Sequence, residues 1–479
     1  MVFQVENSMS GDIVFMLFRT HGYPYMYDRN TNAFVIPAED EFLELSQVKR
    51  GELSPELSPV VKKFQQYGLL KYNVVEKIEH YGSTRVRQYL NTRVKQLTLQ
   101  VTQQCNLRCG YCVYGGKYRG HRAHSNLRMS LKTAKRAIDF FLARNRELSE
   151  LFISFYGGEP LLEFELIKEC VKYANSRVEG KRIRYNMTTN GTLLSDDISD
   201  YLVENDVRIS ISLDGSRHEH DGNRKFANGE GSFDTIISNI NRIRDRHPEY
   251  ARSISIMTTV NPKAELDCVL EYFSTDEVFS DRNIIFNTMS EKNYEGAIEY
   301  NSTFHMIRVY EYIKMLFSLV YKLESEYVSP LVGRAKESLS RKQRDVANRA
   351  QLATTMHHGG PCLAGVMRLF VRTDGVLFPC ERVGEQLNFF SIGTLDGGFD
   401  LTKILRIMNI GTLTESECKS CWGLRHCMLC ASQLDFSDVP TSEDKVRECP
   451  SCLNAAISEL HELCVLSEFG YDAEGMVVR

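Results

Sequence analysis

The 479-residue chain contains no apolar run approaching the ~18 residues that a membrane-spanning helix requires. Its opening, MVFQVENSMSGD, has no basic segment followed by an apolar one, so no secretory signal is read there. Neither sign of charge is in excess: 58 Lys+Arg stand against 62 Asp+Glu, a net charge of −4. That argues against a global basic field for nucleic acid. Internal repeats and low-complexity tracts are also missing. The 14 cysteines are too sparse for a small disulfide scaffold, and the chain is too long to need one. These absences point to a cytoplasmic protein of two to four domains, at ~100–200 residues per domain, with no membrane or nucleic-acid partner.

What the chain does have is clustered cysteine. Cys105, Cys109 and Cys112 form one island. Cys362, Cys380, Cys418, Cys421, Cys427, Cys430, Cys449 and Cys452 form a second, and Cys170, Cys268 and Cys464 stand alone. In a reducing compartment such clusters more often hold metal than pair with each other. Cys170 and Cys464 fall in apolar helical patterns and read as small buried hydrophobes.

Residues 1–90 read as a small module. Residues 23–28 and 33–37 flank ArgAsnThrAsn, a hairpin signal, and helical spacing follows at 40–45 and 59–69, with Gly68 as a stop. A hairpin with short helices suggests a winged-helix-like unit. Its 10 Lys+Arg and 11 Asp+Glu give net −1, which favours peptide or protein docking over DNA phosphate. A structural cap is the alternative.

From about 95 to 290 the pattern alternates. Strands are expected at 95–101, 151–156, 183–189, 207–213, 253–260 and 283–287, with helical spacing between them, as at 131–142. This predicts an α/β fold with parallel strands, and six units predict a partial (β/α)6 TIM-like barrel. Chemistry in such folds gathers at the C-terminal strand ends. The polar motifs follow that rule: the first cysteine island, GlyGlyGluPro (157–160), AsnGlyThr (190–192) and AspGly (214–215) each follow one of the first four strands. Residues 296–353 read as a bridging region of long polar helices, and 354–479 as the cysteine-rich module.

Cys105-x3-Cys109-x2-Cys112 supplies three thiolates on one loop. Structural zinc takes four ligands, whereas an iron–sulfur cluster can leave one iron unligated. His121 and His124 keep a Cys3His zinc site open as an alternative. With Tyr111 before the third cysteine, this motif resembles the radical S-adenosylmethionine superfamily signature, and GlyGlyGluPro resembles that family's second motif. The resemblance implies a [4Fe–4S] cluster whose open iron binds S-adenosylmethionine, and a 5′-deoxyadenosyl radical after one-electron reduction. It places Gly157 and Gly158 where backbone approaches the cofactor, and Glu159 where it accepts from the cofactor's amino group. Asn190, Ser212 and Asp214 would bond ribose or the amino-acid end, and Arg224 would pair with the carboxylate.

In the second island, Cys362-x12-Gly375-x4-Cys380 is followed by Cys418-x2-Cys421-x5-Cys427-x2-Cys430 and Cys449-x2-Cys452. A two-ion zinc site is one reading. The order and spacing instead resemble the SPASM extension of radical S-adenosylmethionine enzymes, with two departures: the last gap is x2 rather than x3, and the tail carries a pair rather than one cysteine. The resemblance implies two auxiliary [4Fe–4S] clusters. Cys362, Cys380 and Cys430 would hold one; Cys418, Cys421 and Cys427, with Cys449 or Cys452, would hold the other. The leftover cysteine would complete the first cluster or leave one of its irons open.

Residues 1–90 resemble the recognition element of maturases for ribosomally made peptides, in which a leader peptide adds a strand to a sheet edge. The division expected is therefore 1–90 recognition element, 91–295 radical barrel, 296–353 helical bridge and 354–479 SPASM domain. The whole resembles thioether-forming sactipeptide and ranthipeptide maturases. Implied partners are a cysteine-rich precursor peptide and an electron donor such as flavodoxin or ferredoxin. Carbon–carbon crosslinking or another peptide oxidation, sulfatase-type formylglycine formation included, is the alternative within this architecture, although the dedicated N-terminal module argues against sulfatase activation; a non-enzymatic, zinc-stapled peptide-binding protein is the alternative outside it.

Overall fold

The computed structural model describes residues 13–471 except 277, 280 and 281, together with the backbone of 477–478. The opening twelve residues, where no secretory signal is read, lie outside the described residues. At the N-terminus β1 (Phe15–Arg19), β2 (Pro24–Asp28) and β3 (Ala33–Val35) form an antiparallel meander. The β2–β3 turn passes through Asn32 at φ 60°, a left-handed conformation that asparagine tolerates. α1 (Glu39–Lys49) and α2 (Pro59–Gln66) follow. Ser58 caps α2 by accepting from the Val61 N–H, and Pro59 supplies its first turn. Leu45, Val48, Val61 and Phe64 of these helices pack against Phe15, Met26 and Val35 on one sheet face. β1 has no counterpart among the strands expected from the sequence. Its residues are covered on both faces, so the alternation that marks a half-buried strand is absent.

β4 (Lys77–Ile78) and α3 (Val86–Thr92) lead into the central unit. There β5 (Gln96–Thr102), α4 (Leu131–Leu142), β6 (Glu150–Gly157), α5 (Phe164–Arg177), β7 (Arg182–Thr189), α6 (Asp196–Glu204) and β8 (Val207–Ser212) alternate. α7 (Arg217–Asn223), α8 (Phe233–Arg246), α9 (Pro248–Ser253), β9 (Ser255–Val260), α10 (Leu266–Thr275) and β10 (Ile284–Thr288) complete it. Strands β5 to β10 lie side by side in chain order and every pair is parallel. This is the partial barrel that the alternation predicts. Its apolar centre includes Leu99, Val101, Ile153, Phe155, Met187, Ile209 and Ile211.

α11 (Phe304–Leu319) and α12 (Gly333–Ala347) bridge to β11 (Thr355–Met356), which pairs with β4. β12 (Leu369–Val371) then joins β5 in parallel, and β13 (Val376–Phe378), β14 (Gly393–Thr394) and β15 (Gly398–Phe399) continue antiparallel. The barrel sheet thus runs directly into the cysteine-rich module, ten strands in all among the described residues. α13 (Leu401–Met408), α14 (Glu415–Ser420) and the 27-residue α15 (Ser442–Glu468) follow. α15 lays Leu453, Ile457, Leu460 and Cys464 against Phe18, Tyr25, Tyr27 and Phe34 of the N-terminal sheet. β16 (Val477–Val478) pairs in parallel with β3 at that sheet's edge. Among the described residues, no helix is long and apolar enough to cross a membrane.

Phe155 is fully buried and stacks on Tyr185. Phe155→Ala is expected to destabilise the barrel by about 3–5 kcal/mol. Ser130→Ala, which removes the cap accepting from Thr133 N–H at 3.0 Å, should cost only about 1 kcal/mol. Denaturant unfolding followed by far-ultraviolet circular dichroism checks both; equal costs would contradict the placement of the core.

Candidate functional site

The loop after β5 carries Cys105, Cys109 and Cys112, and backbone bonds hold it on both sides. Gly158 N–H donates to Thr102 O (3.1 Å) and Glu159 N–H to Gln104 O (2.9 Å). Arg108 N–H donates to Lys225 O (2.7 Å) and Gly110 N–H to Asn223 O (2.9 Å). A Cβ on Gly157 would overlap Thr102 O, and one on Gly158 would overlap Gln104 O. The close approach that needs these glycines is therefore to the cysteine loop itself.

Glu159 is fully buried, which raises its carboxyl pKa. Its oxygens accept from Asn190 N–H (2.7 Å), Thr189 hydroxyl (2.7 Å) and Leu161 N–H (3.0 Å). It ties the end of β6 to that of β7 and, with about four acceptor positions on a carboxylate, retains one. Asn190 donates to Asn106 Oδ1 (2.8 Å) and its amide lies 3.9 Å from Cys105 Sγ. Ser212 is buried at the end of β8. Asp214 and Arg224 bond each other: Arg224 Nε donates to Asp214 Oδ2 at 3.0 Å, with both side chains buried. Tyr111 donates to the same carboxylate, Thr259 N–H to its other oxygen, and Arg224 Nη1 reaches to 3.9 Å from Cys109 Sγ. The structure thus brings Glu159, Asn190, Asp214 and Arg224 to one rim beside the thiols.

Burial pushes the Cys105 thiol up to about 12 and Cys109 to about 11, and raises Cys112 as well. As free thiols they would stay protonated at neutral pH; coordination to iron would deprotonate them. Among the described residues, no group of three or more His, Cys, Asp or Glu side chains closes to the spacing of a single metal ion. A four-iron cube spreads its thiolates more widely than one ion does. His121, weighed as a zinc ligand, packs edge-on against Tyr114 and Tyr118.

The second island separates into two groups. Cys362, Cys380 and Cys430 lie within electrostatic reach of one another, and burial raises Cys380 to about 12. Cys418, Cys421, Cys427 and Cys449 line a cavity of about 100 Å³ together with His358, Glu417 and Lys445. Cys452 stands next to Cys427, whose hydrogen bond lowers the Cys452 pKa and raises its own. A larger hollow of about 780 Å³ over Asp196, Asp234 and Arg242 is an open depression on the outer helices.

Several polar residues here have no counterpart in the motifs. Gln100 donates to both oxygens of Glu385 (2.9 Å each), and Arg122 pairs with that carboxylate at 3.2 Å while lying 3.7 Å over the Tyr114 ring. Glu385 arrives from a distant loop, so no local spacing announces it. Lys445 and His358 belong to no motif either, although Lys445 stands four residues before Cys449, on the same helical face.

A loop bearing three cysteines thus stands at the C-terminal rim of a partial α/β barrel. Residues 99–271, from within β5 to within α10, match the Radical SAM superfamily. It is 28% identical over 188 residues to a cysteine-type anaerobic sulfatase-maturating enzyme from Clostridium novyi, covering 38% of this chain and 49% of the relative. It is 28% identical over 209 residues to the radical SAM cyclopropyl synthase TigE from Paramaledivibacter caminithermalis, covering 39% and 43%. The chain thus spans about half the length of these curated relatives. The solved structure of native anSMEcpe with bound AdoMet shares the fold, with a TM-score of 0.51 at 19% identity over 75% of this chain and 99% of that one.

Arg224→Met would leave Asp214 buried without its cation and is expected to cost roughly 3–5 kcal/mol, read by denaturant unfolding. An unchanged midpoint would mean that the pair is solvated. His220 lies behind it, its Nδ1 facing Asp214 N–H at 3.3 Å and its Nε2 facing Ser232 hydroxyl at 2.9 Å. Burial, then the Arg224 charge, hold its pKa at about 3 against an ordinary 6.5. The stability it contributes is full above pH 6.5 and is lost as pH falls from there toward 3. A melting-temperature profile of His220→Gln should lack that part of the acid slope.

Proposed function

We propose that the protein is a radical S-adenosylmethionine peptide maturase of the SPASM and sulfatase-maturase kind, forming sulfur-to-carbon thioether crosslinks in a cysteine-rich precursor. The carrying observation is the placement of Cys105, Cys109 and Cys112 on one rim loop, beside Glu159, Asn190 and Arg224, within the stretch that matches the Radical SAM superfamily. On this reading the three thiols hold a [4Fe–4S] cluster. With S-adenosylmethionine bound, it would supply a 5′-deoxyadenosyl radical that takes a hydrogen atom from the peptide. Glu159 uses its remaining acceptor position for the cofactor's amino group. Arg224 Nη1, 3.9 Å from Cys109 Sγ, would offer a partner to its carboxylate, while Asp214 holds the guanidinium in place. Gly157, Gly158 and Ser212 complete the wall.

Auxiliary clusters would sit at Cys362, Cys380 and Cys430, and at Cys418, Cys421, Cys427 and Cys449. Thioether formation removes two hydrogens per bond: one atom leaves to the radical, one proton leaves the thiol, and an auxiliary cluster accepts the surplus electron. The first group has three thiols, and Cys452 stands with the second. This supports an iron left open to a substrate cysteine. Residues 1–90, which give three strands of a four-stranded sheet backed by α1 and α2, would bind the leader, and flavodoxin or ferredoxin would deliver electrons. Similarity to sulfatase-maturating and cyclopropane-forming relatives favours another peptide oxidation, or carbon–carbon bond formation, as the second reading.

Anaerobically reconstituted protein is expected to hold about eight to twelve irons, at four per cluster, and to release 5′-deoxyadenosine with reductant and S-adenosylmethionine. Replacing Cys105, Cys109 and Cys112 together with Ala should remove about four irons and all 5′-deoxyadenosine. Incubation with a cysteine-rich peptide encoded beside the gene should yield product that has lost two hydrogens per crosslink and one alkylatable thiol with each. Zinc-loaded, colourless protein would sink the class, and product with every thiol still free would sink the thioether chemistry alone.

A further inference from the structure

The cavity lined by Cys418, Cys421, Cys427 and Cys449 contains two nitrogen side chains that no cysteine spacing explains. Lys445, on α15, is 1% exposed. It donates to Thr414 hydroxyl at 2.6 Å and to Cys418 Sγ at 3.2 Å, and among the described residues no carboxylate forms an ion pair with it. His358, just after β11, is 2% exposed, and neither ring nitrogen has a hydrogen-bond partner. It is the one histidine among the described residues with both nitrogens in that state. Its neighbour His357 is satisfied on both sides, by the His358 carbonyl (2.9 Å) and by Gly411 N–H (3.0 Å). An imidazole carries at least one N–H in either protonation state. Glu417, which also lines the cavity, lies at its exposed end.

A buried ammonium without a counter-ion and a buried imidazole without partners are each costly. Both costs fall if an anion with acceptor atoms fills the cavity. Four thiolates around a [4Fe–4S]²⁺ core carry net −2, and one-electron reduction makes that −3. The core's sulfides accept hydrogen bonds. We infer that His358 and Lys445 are positioning residues for the cluster in this cavity, His358 donating its N–H to a cluster sulfur and Lys445 offsetting the cluster's charge, so that they favour its reduced state. This rests on the auxiliary-cluster reading above. It makes this cluster the better electron acceptor, because a cation close by in a water-poor site stabilises the added charge.

The test uses full-length, anaerobically reconstituted protein carrying Cys105→Ala, Cys109→Ala and Cys112→Ala, so that auxiliary iron alone remains. In that background Lys445→Met is expected to lower the midpoint potential of one reduced-cluster paramagnetic signal. The fall should be at least tenfold in the one-electron equilibrium, about 59 mV, and Lys445→Arg should recover most of it. Pulsed paramagnetic resonance on ¹⁵N-histidine-labelled protein should show a nitrogen coupling to that cluster, which His358→Phe removes and which needs no Lys445 variant to be seen. Full auxiliary iron with no histidine coupling and an unchanged potential in Lys445→Met overturns the inference. If Lys445→Met does not fold, the labelled protein decides alone. Protein without auxiliary iron before Lys445 or His358 is changed would overturn the auxiliary-cluster reading instead, and this inference with it.

Discussion

The candidate site depends on a contact between two pieces of backbone. At the end of β6, Gly157 and Gly158 lie so close to the carbonyls of Thr102 and Gln104 that any Cβ would overlap them. This contact seats the Cys105 loop on the rim and allows Glu159 N–H to reach Gln104 O. Glu159 then bonds across to Thr189 and Asn190, drawing in the next strand end. From Asn190 the chain of contacts passes to Asn106 and back to the cysteine loop. The rim is a closed circuit of hydrogen bonds around three thiols.

A second circuit closes on the other side. Tyr111, between the second and third cysteines, donates to Asp214, which pairs with Arg224 and accepts from Thr259 N–H. Four strand ends therefore converge on one short loop. Two buried carboxylates are paired with cations: Asp214 with Arg224, and Glu385 with Arg122, to which Gln100 adds its amide. The cavity of the second cysteine group differs, with Lys445 bonded to Thr414 and Cys418 and His358 without a hydrogen-bond partner.

The barrel was legible in the sequence because its strands are short apolar runs separated by amphipathic helices. Strands β5 to β10 begin within two residues of their expected positions, and α4 spans 131–142 as expected. β1 was not legible, because a strand covered by α1 and α2 on one face and by α15 on the other loses its period of two. The placement of Asp214 near the cysteines was legible, since it follows the rim rule; that of Arg224 came from the family resemblance. Their bond to each other was not, because it depends on side-chain reach between a strand end and the residue after α7.

The sequence by itself determined the alternation of strand and helix, the rim on which the polar motifs fall, and the two islands of cysteine. These are local patterns of spacing, and local spacing survives without a fold. Only the tertiary structure decided that Cys449, and not Cys452, lines the cavity with Cys418, Cys421 and Cys427. Those two residues are three apart on one helix, about 60° around its axis and ~4.5 Å along it, so a small change in the helix's rotation and register would exchange them. α15 is held in its rotation by Leu453, Ile457 and Leu460 packing on the N-terminal sheet, some 420 residues away in the chain. The same packing turns Lys445 inward, and no spacing in the sequence carries that information.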